Sequence, residues 1–315
     1  MRIFFASDLH GSERCYRKFL NAAAFYDADV MILGGDLTGK AILPIVDLGK
    51  GRYMARMMNN EVIEIGDEEL PALDRRIRDM GLYPYVADRQ LLDAARESKE
   101  AMEAVFTGLM RESLTSWMAL ADERLGPRDL RCFVIPGNDD MKVVDEVLAD
   151  APERVVNVAK ESAWIDDTHE IVGLDYVNPT PWHSPREVSE ESMATMLEAT
   201  FARVRDPAHC IVNFHCPPSQ TSLDQAPALT DDLRPIVFGG RVMTKPVGST
   251  AMREALEKHQ PLLGLHGHIH ESRGAERLGR TLCVNPGSDY GEGILRGAII
   301  EIENGRVAMH KFVTG

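Results

Sequence analysis

Five stretches of this 315-residue sequence end an apolar run in side chains able to bind metal. They read Ser7-Asp8-Leu9-His10, Gly34-Gly35-Asp36, Pro136-Gly137-Asn138-Asp139-Asp140, Asn213-Phe214-His215-Cys216-Pro217-Pro218 and Gly264-Leu265-His266-Gly267-His268-Ile269-His270. Imidazoles and carboxylates are expensive to gather unless something pairs with them. One such coincidence is ordinary, but five argue for a shared centre. Imidazole mixed with carboxylate and amide oxygen suits Mn, Fe, Zn, Co or Ni better than an all-oxygen Mg or Ca cage. So large a ligand set exceeds the needs of one tetrahedral zinc and suits two ions sharing a carboxylate. Two metals about 3.5–4 Å apart can clamp a phosphoryl group between them. Two divalent ions, two carboxylates and a hydroxide leave roughly one positive charge facing a substrate, so even an acidic chain can bind phosphate there.

The elements that must position these residues follow from the pattern. Apolar runs at 3–6 and 30–33 flank a helical spacing at 13–26, with Cys15, Phe19, Ala22, Ala23 and Tyr26 on one side. Strand, helix, strand within so few residues is a βαβ unit. Reactive loops of open α/β sheets lie beyond the C-terminal strand ends, which puts Asp8, His10 and Asp36 on one edge. The next strand of this kind is 132–135. Between lie a short hairpin or irregular excursion at 49–65 and a helix at 68–80 that stops at Gly81. The stretch 88–125 reads as one long helix, or two joined near Gly108. Its apolar stripe includes Leu91, Leu92, Ala95, Met110, Leu114, Trp117, Met118 and Ala121, and packing against the main body is its expected role.

After Pro152 come short strands at 155–158, 163–165 and 169–174, a helix at 187–204 and a strong strand at 210–214. A helix at 250–259 and strands at 262–265, 281–284 and 297–302 follow. Glu303-Asn304-Gly305 then turns the chain into 307–313, a hairpin signal. The expected fold class is α/β: two packed mixed β-sheets flanked by helices, one domain over 1–315 with a largely helical insertion at about 41–130.

Composition narrows the function classes. Hydrophobic residues make up 44% and charged residues 27%, as in a globular protein with a real core. The net charge of −14 argues against a broad nucleic-acid footprint or attraction to anionic lipid. No segment has the 18 or so apolar residues of a membrane span. The N-terminal residues read as a buried strand rather than a signal peptide. Five cysteines, never in CxxC spacing, read as reduced thiols in a cytoplasmic protein. A small phosphoester is the expected partner, with no membrane and no nucleic acid, and homo-oligomerisation is left open.

The set Asp-x-His, Gly-Gly-Asp, Gly-Asn-x-Asp, His before Pro-Pro, and Gly-His-x-His, in this order, resembles the calcineurin-like metallophosphoesterase family, closest to its small bacterial and archaeal phosphoesterases. The resemblance runs from Asp8 to Ser288, apart from the insertion, and includes the loop Asn285-Pro286-Gly287-Ser288. It implies an αββα sandwich and two divalent transition-metal ions, manganese first. Asp8, His10, His270 and Asp36 would hold one ion; Asn138, His215 and His268 would hold the other, with Asp36 bridging. His215 would also steady charge on the reacting phosphoryl group.

One position departs. Many family phosphatases carry His after the motif Asn, and here the residue is Asp139. Two neighbouring cations should push its carboxyl down, leaving a poor proton donor that repels a monoester dianion more than a diester monoanion. The expectation is therefore a metal-dependent phosphodiesterase. A phosphomonoesterase or nucleotide-pyrophosphate hydrolase is the alternative, and a non-catalytic metal-stabilised interaction module is the rival from another class.

Other polar residues have plainer roles. Asp140 reads as the cap of a helix beginning near Met141. His266 reads as a core or neighbouring group. His183 and Arg186, in the proline-rich loop 178–186, read first as part of a solvent-exposed connection. Arg241, Lys245 and Tyr290 are weaker candidates to touch substrate, and Arg273 is expected to pair with Glu271 or Glu276. Gly34-Gly35-Asp36 matches neither the dinucleotide nor the P-loop pattern; its small residues let backbone pass close to the metals.

Overall fold

Successive side chains of the strand Arg2–Ala6 point to opposite faces, and both faces are buried. In the computed structural model Ile3 and Phe5 join an apolar cluster between two sheets, while Phe4 and Ala6 join another under helices. This strand thereby fixes the layering. The structure describes residues 1–315 except the side chains of Ala95 and Arg96, so the expected place of Ala95 in the apolar stripe lies outside the described residues.

The first six-stranded sheet runs Arg306–Thr314, Arg296–Glu303, Arg2–Ala6, Val30–Leu33, Cys132–Val134, Val155–Asn157. Its last four strands are mutually parallel, and Arg296–Glu303 joins Arg2–Ala6 antiparallel. The second runs Gly274–Leu278, Thr281–Asn285, Leu263–Leu265, Cys210–Phe214, Glu170–Leu174, Ala163–Trp164. Ile32, Phe133, Ile211, Leu263 and Val284 pack between the sheets. Helices Glu13–Phe25, Lys99–Leu125 and Val143–Ala149 cover the outer face of the first sheet, and Glu190–Phe201 and Thr250–His259 that of the second. The α/β class with two packed mixed sheets flanked by helices is therefore observed. The expected hairpin is also present, with Asn304 and Gly305 both at positive φ as its tight turn requires.

The segment expected to be largely helical is mixed. Strands Ile42–Gly49, Arg52–Arg56, Val62–Gly66 and Tyr83–Asp88 form a sheet of four with its own small core around Ile45, Ala55 and Ile77. Arg52–Arg56 and Val62–Gly66 pair as the short hairpin expected at 49–65, while half-exposed faces hid Ile42–Gly49 and Tyr83–Asp88. The long helix breaks at Ser98 rather than Gly108: Ser98 is extended and caps Lys99–Leu125 through its hydroxyl, and Gly108 lies within that helix. Its stripe packs as expected. The Tyr16 and Trp117 rings stack at 4.1 Å, and the Tyr16 hydroxyl donates to the Trp117 carbonyl. Leu91, placed in that stripe, is exposed. No helix among the described residues is long and apolar enough to cross a membrane.

Candidate metal centre

Parallel strands in both sheets end at one edge, and their following loops carry the motif residues there. Asp8, His10, Asp36 and His268 all have positive φ, an arrangement L-residues adopt only when the surroundings hold it. Glycine makes room beside them. A Cβ on Gly35 would lie 2.6 Å from His215 Nδ1, one on Gly137 would run into the Asp36 amide and carboxylate, and one on Gly267 would meet Ser7 and Asp8.

Asp8, His10, Asp36 and His270 each offer a ligand atom, all within 4.8 Å of one another, and this cluster could hold a metal ion. His10 Nε2 faces His270 Nε2 at 3.0 Å, and Asp8 Oδ1 lies 3.4 Å from His270 Nε2. Asp36 Oδ2 stands 3.5 Å from His10 Nε2 and 3.5 Å from His215 Nε2. His215 Nε2 in turn meets Asn138 Oδ1 at 3.0 Å. The His215 and His268 rings lie 5.5 Å apart, and the His268 amide donates to Asp8. The motif residues thus converge on one centre, with Asp36 between its two halves.

The electrostatics fit a cation. Asp8 and Asp36 are buried, and among the described residues neither forms an ion pair with Lys or Arg; the ionisable groups that pair with them are imidazoles. Buried carboxylates of this kind require compensating positive charge. Burial raises both carboxyls, yet His270 at Asp8 and His215 at Asp36 hold them well below the usual range. Burial likewise opposes charge on His215, but Asp36 and Asp8 outweigh it and carry that imidazole up to about 10. Burial prevails at His10, pushed down to about 3, and at His268, pushed down to about 4. The Gly34 carbonyl lies 2.6 Å from His215 Nδ1; with Nδ1 donating there, Nε2 is free to ligate.

At Asp139 the chain's own groups, apart from any metal, set the following balance. Burial, then the charge of Asp36, raises its carboxyl above the usual value, with Lys40 opposing. Lys40 Nζ is 2.6 Å from Asp139 Oδ2 and lines the same cavity, a residue the motifs did not flag. No motif singles out a lone lysine four residues beyond Asp36.

Asp140 is corrected from cap to clamp. It is fully buried and accepts from the amides of Leu37, Thr38 and Gly137 and from the Thr38 hydroxyl, locking two motif loops together. The next helix begins at Val143, too far along for it to cap. His266 points away, toward the Phe214 and Cys216 carbonyls. Arg186 is buried and paired with Asp175 and Asp145, which binds the proline-rich loop to the body; His183 is exposed. Arg273 pairs with neither expected glutamate: it lies over the Phe312 ring and donates to the Val313 carbonyl. The Tyr290 ring lies tilted against that of His10, their centroids 4.5 Å apart. Lys245 lines the cavity, and Arg241 sits exposed on a hairpin beyond it.

No family model matches the chain. The uncharacterized protein MJ1162 of Methanocaldococcus jannaschii is 29% identical over 159 residues, 50% of this chain, which spans 64% of that protein's length. The protein TT1561 of Thermus thermophilus superposes with a TM-score of 0.53 at 16% identity, over 100% of this chain and 97% of its own. Another solved structure reaches 0.56 at 16% identity, over 100% and 98%. These likenesses show the fold. In that fold, and in the side chains gathered at its strand ends, the chain resembles the calcineurin-like metallophosphoesterases.

Proposed function

We propose that this protein is a metal-dependent phosphoester hydrolase, with phosphodiesters preferred over monoesters. The observation that carries the reading is Asp36 Oδ2, equidistant from the Nε2 atoms of His10 and His215. Such an oxygen suits a carboxylate shared by two ions. Asp8, His10 and His270 would hold one ion beside Asp36, and Asn138, His215 and His268 the other. Two divalent ions there, manganese first, would supply Lewis-acid activation of the phosphoryl group and of the attacking water.

The chain's own residues do the rest. Asp140 fixes the loops carrying Asp36 and Asn138 relative to each other, so the geometry is built before substrate arrives. Lys40 brings a positive charge to the cavity beside Asp139 and can meet a non-bridging phosphate oxygen. Asp139 offsets the Lys40 charge, leaving less positive charge for a monoester's second negative charge, which favours the diester. The five cysteines are all buried and free, which agrees with a reducing, cytoplasmic setting.

The test is hydrolysis of bis-p-nitrophenyl phosphate and p-nitrophenyl phosphate by protein loaded with Mn. Faster turnover of the diester is expected. Protein that binds metal yet hydrolyses nothing across mono-, di- and pyrophosphate esters would instead be the interaction module.

A further inference from the structure

The metal centre does not stand alone in its cavity. The same space of about 880 Å³ that contains Asp36, Asn138, His268 and His270 runs on to a wall of Pro181, Trp182, Leu229, Leu233, Pro235 and Val247. Two separate excursions build this wall. One is the proline-rich loop; the other is the segment 225–247, held by pairing of Gln225–Pro227 with Thr244–Pro246 and of Val237–Phe238 with Arg241–Val242.

Trp182 is 64% exposed, an unusual place for an indole. The loop that carries it is nevertheless held in place. Glu187 accepts from the amides of Thr180 and Ser184 and from both hydroxyls, and the Trp182 amide donates to Thr180 Oγ1. Ser184 also accepts from Asn138 Nδ2, tying the loop to the metal centre. The polar groups nearby are thus committed: the Thr180 hydroxyl to Glu187 and the Asn178 amide to the Val247 carbonyl. An aromatic ring on an anchored loop, with apolar neighbours and nearby amides and hydroxyls already committed, recognises area rather than a hydrogen-bonding pattern.

We infer that this wall is a subsite for a large apolar ester group, so that the substrates are phosphodiesters bearing an aryl or long alkyl substituent rather than a nucleoside. The inference rests on the phosphoesterase reading for the position of the phosphate. A phosphate at the metal centre must send its second ester group along the continuous cavity, and Trp182 and Leu229 are what it meets. Lys40 and Lys245, on the same cavity, complement the single charge of a diester.

The experiment measures calorimetric affinities of the Mn-loaded full chain for dimethyl, methyl phenyl, methyl hexyl and methyl thymidine-5′ phosphate. Parallel kinetics follow bis-p-nitrophenyl phosphate. Phenyl and hexyl diesters are expected to bind at least about tenfold more tightly than dimethyl phosphate, with the thymidine ester no better than phenyl. Trp182→Ala, and separately Leu233→Ser, should each shrink that ratio to within about threefold and raise KM for the aryl diester more than they lower kcat. Equal affinities across the series, or a thymidine preference that survives Trp182→Ala, would overturn the subsite. Apolar discrimination without any turnover would uphold the subsite while removing the hydrolase reading; turnover without discrimination would do the reverse.

Discussion

Lys40 Nζ and Asp139 Oδ2 meet at 2.6 Å on the wall of the metal-centre cavity, so the acidic residue that follows the motif Asn is not a bare negative charge. The pair is half open to solvent on the lysine side, where a substrate oxygen could take over one of the ammonium's donors. Removing the cation while keeping the stem should therefore weaken phosphate binding and leave the metal site intact. Lys40→Met is expected to raise KM for a phosphodiester about tenfold, with rescue by Lys40→Arg and unchanged metal content. Unchanged KM in the methionine variant would place the lysine in a purely structural pairing.

Asp139→His addresses the other partner. It removes the negative charge and supplies a donor that titrates near neutrality. Monoester turnover should increase relative to diester turnover, measured as the ratio of kcat/KM values on the two p-nitrophenyl substrates. A ratio that does not move, with metals still bound, would show that Asp139 does not set the preference.

The stability of metal-free protein should depend on pH with a sign set by His215. Its pKa rises from 6.5 to about 10 on folding because Asp36 and Asp8 outweigh burial. Between these values the folded chain holds a proton that the unfolded chain releases, so this stabilisation is complete below pH 6.5 and is lost as pH climbs toward 10. His10 and His268, already neutral in this range, do not oppose it. The melting temperature of chelator-treated protein should fall from about pH 7 to about pH 8, below the ordinary range of its buried thiols. Mn-loaded protein should show a flatter profile, since the ion takes the proton's place on the imidazole. Parallel profiles with and without metal would contradict this.

Gly137 is a packing constraint as much as a turn residue. A Cβ there would collide with the amide and carboxylate of Asp36. Gly137→Ala should cost about 1–3 kcal/mol, read as a lower denaturant midpoint, and should weaken metal binding through displacement of Asp36. Full metal affinity in a stable variant would mean the two loops are less tightly fixed than the Asp140 clamp indicates.

Much of this was legible because strand-end motifs put chemistry at predictable places. Asp8 and Asp36 follow the parallel neighbours Arg2–Ala6 and Val30–Leu33, so a βαβ reading alone set them side by side. Asn138, His215 and the His268–His270 pair stood out as strand-end ligands, but their division between two ions needed the resemblance, because their strands lie far apart in sequence. Lys40 escaped because a lone lysine at the mouth of an insertion has no pattern. Asp140 was misread because local capping is the commoner use of an aspartate before a helix, whereas here four donors from two loops converge on it. Of the insertion's four strands, Arg52–Arg56 and Val62–Gly66 form the hairpin expected at 49–65, whereas Ile42–Gly49 and Tyr83–Asp88 escaped because exposure on one side broke their apolar runs. Ser98 ended a helix whose periodicity continued straight past it.

The shared carboxylate is the point on which the rest depends, and metal stoichiometry tests it directly. Protein loaded with excess Mn and freed of unbound metal should carry about two ions per chain, and Asp36→Asn, which keeps the shape but removes the charge, should carry fewer than one. One ion in the parent protein, or two retained by Asp36→Asn, would show that Asp36 does not join a pair of metals.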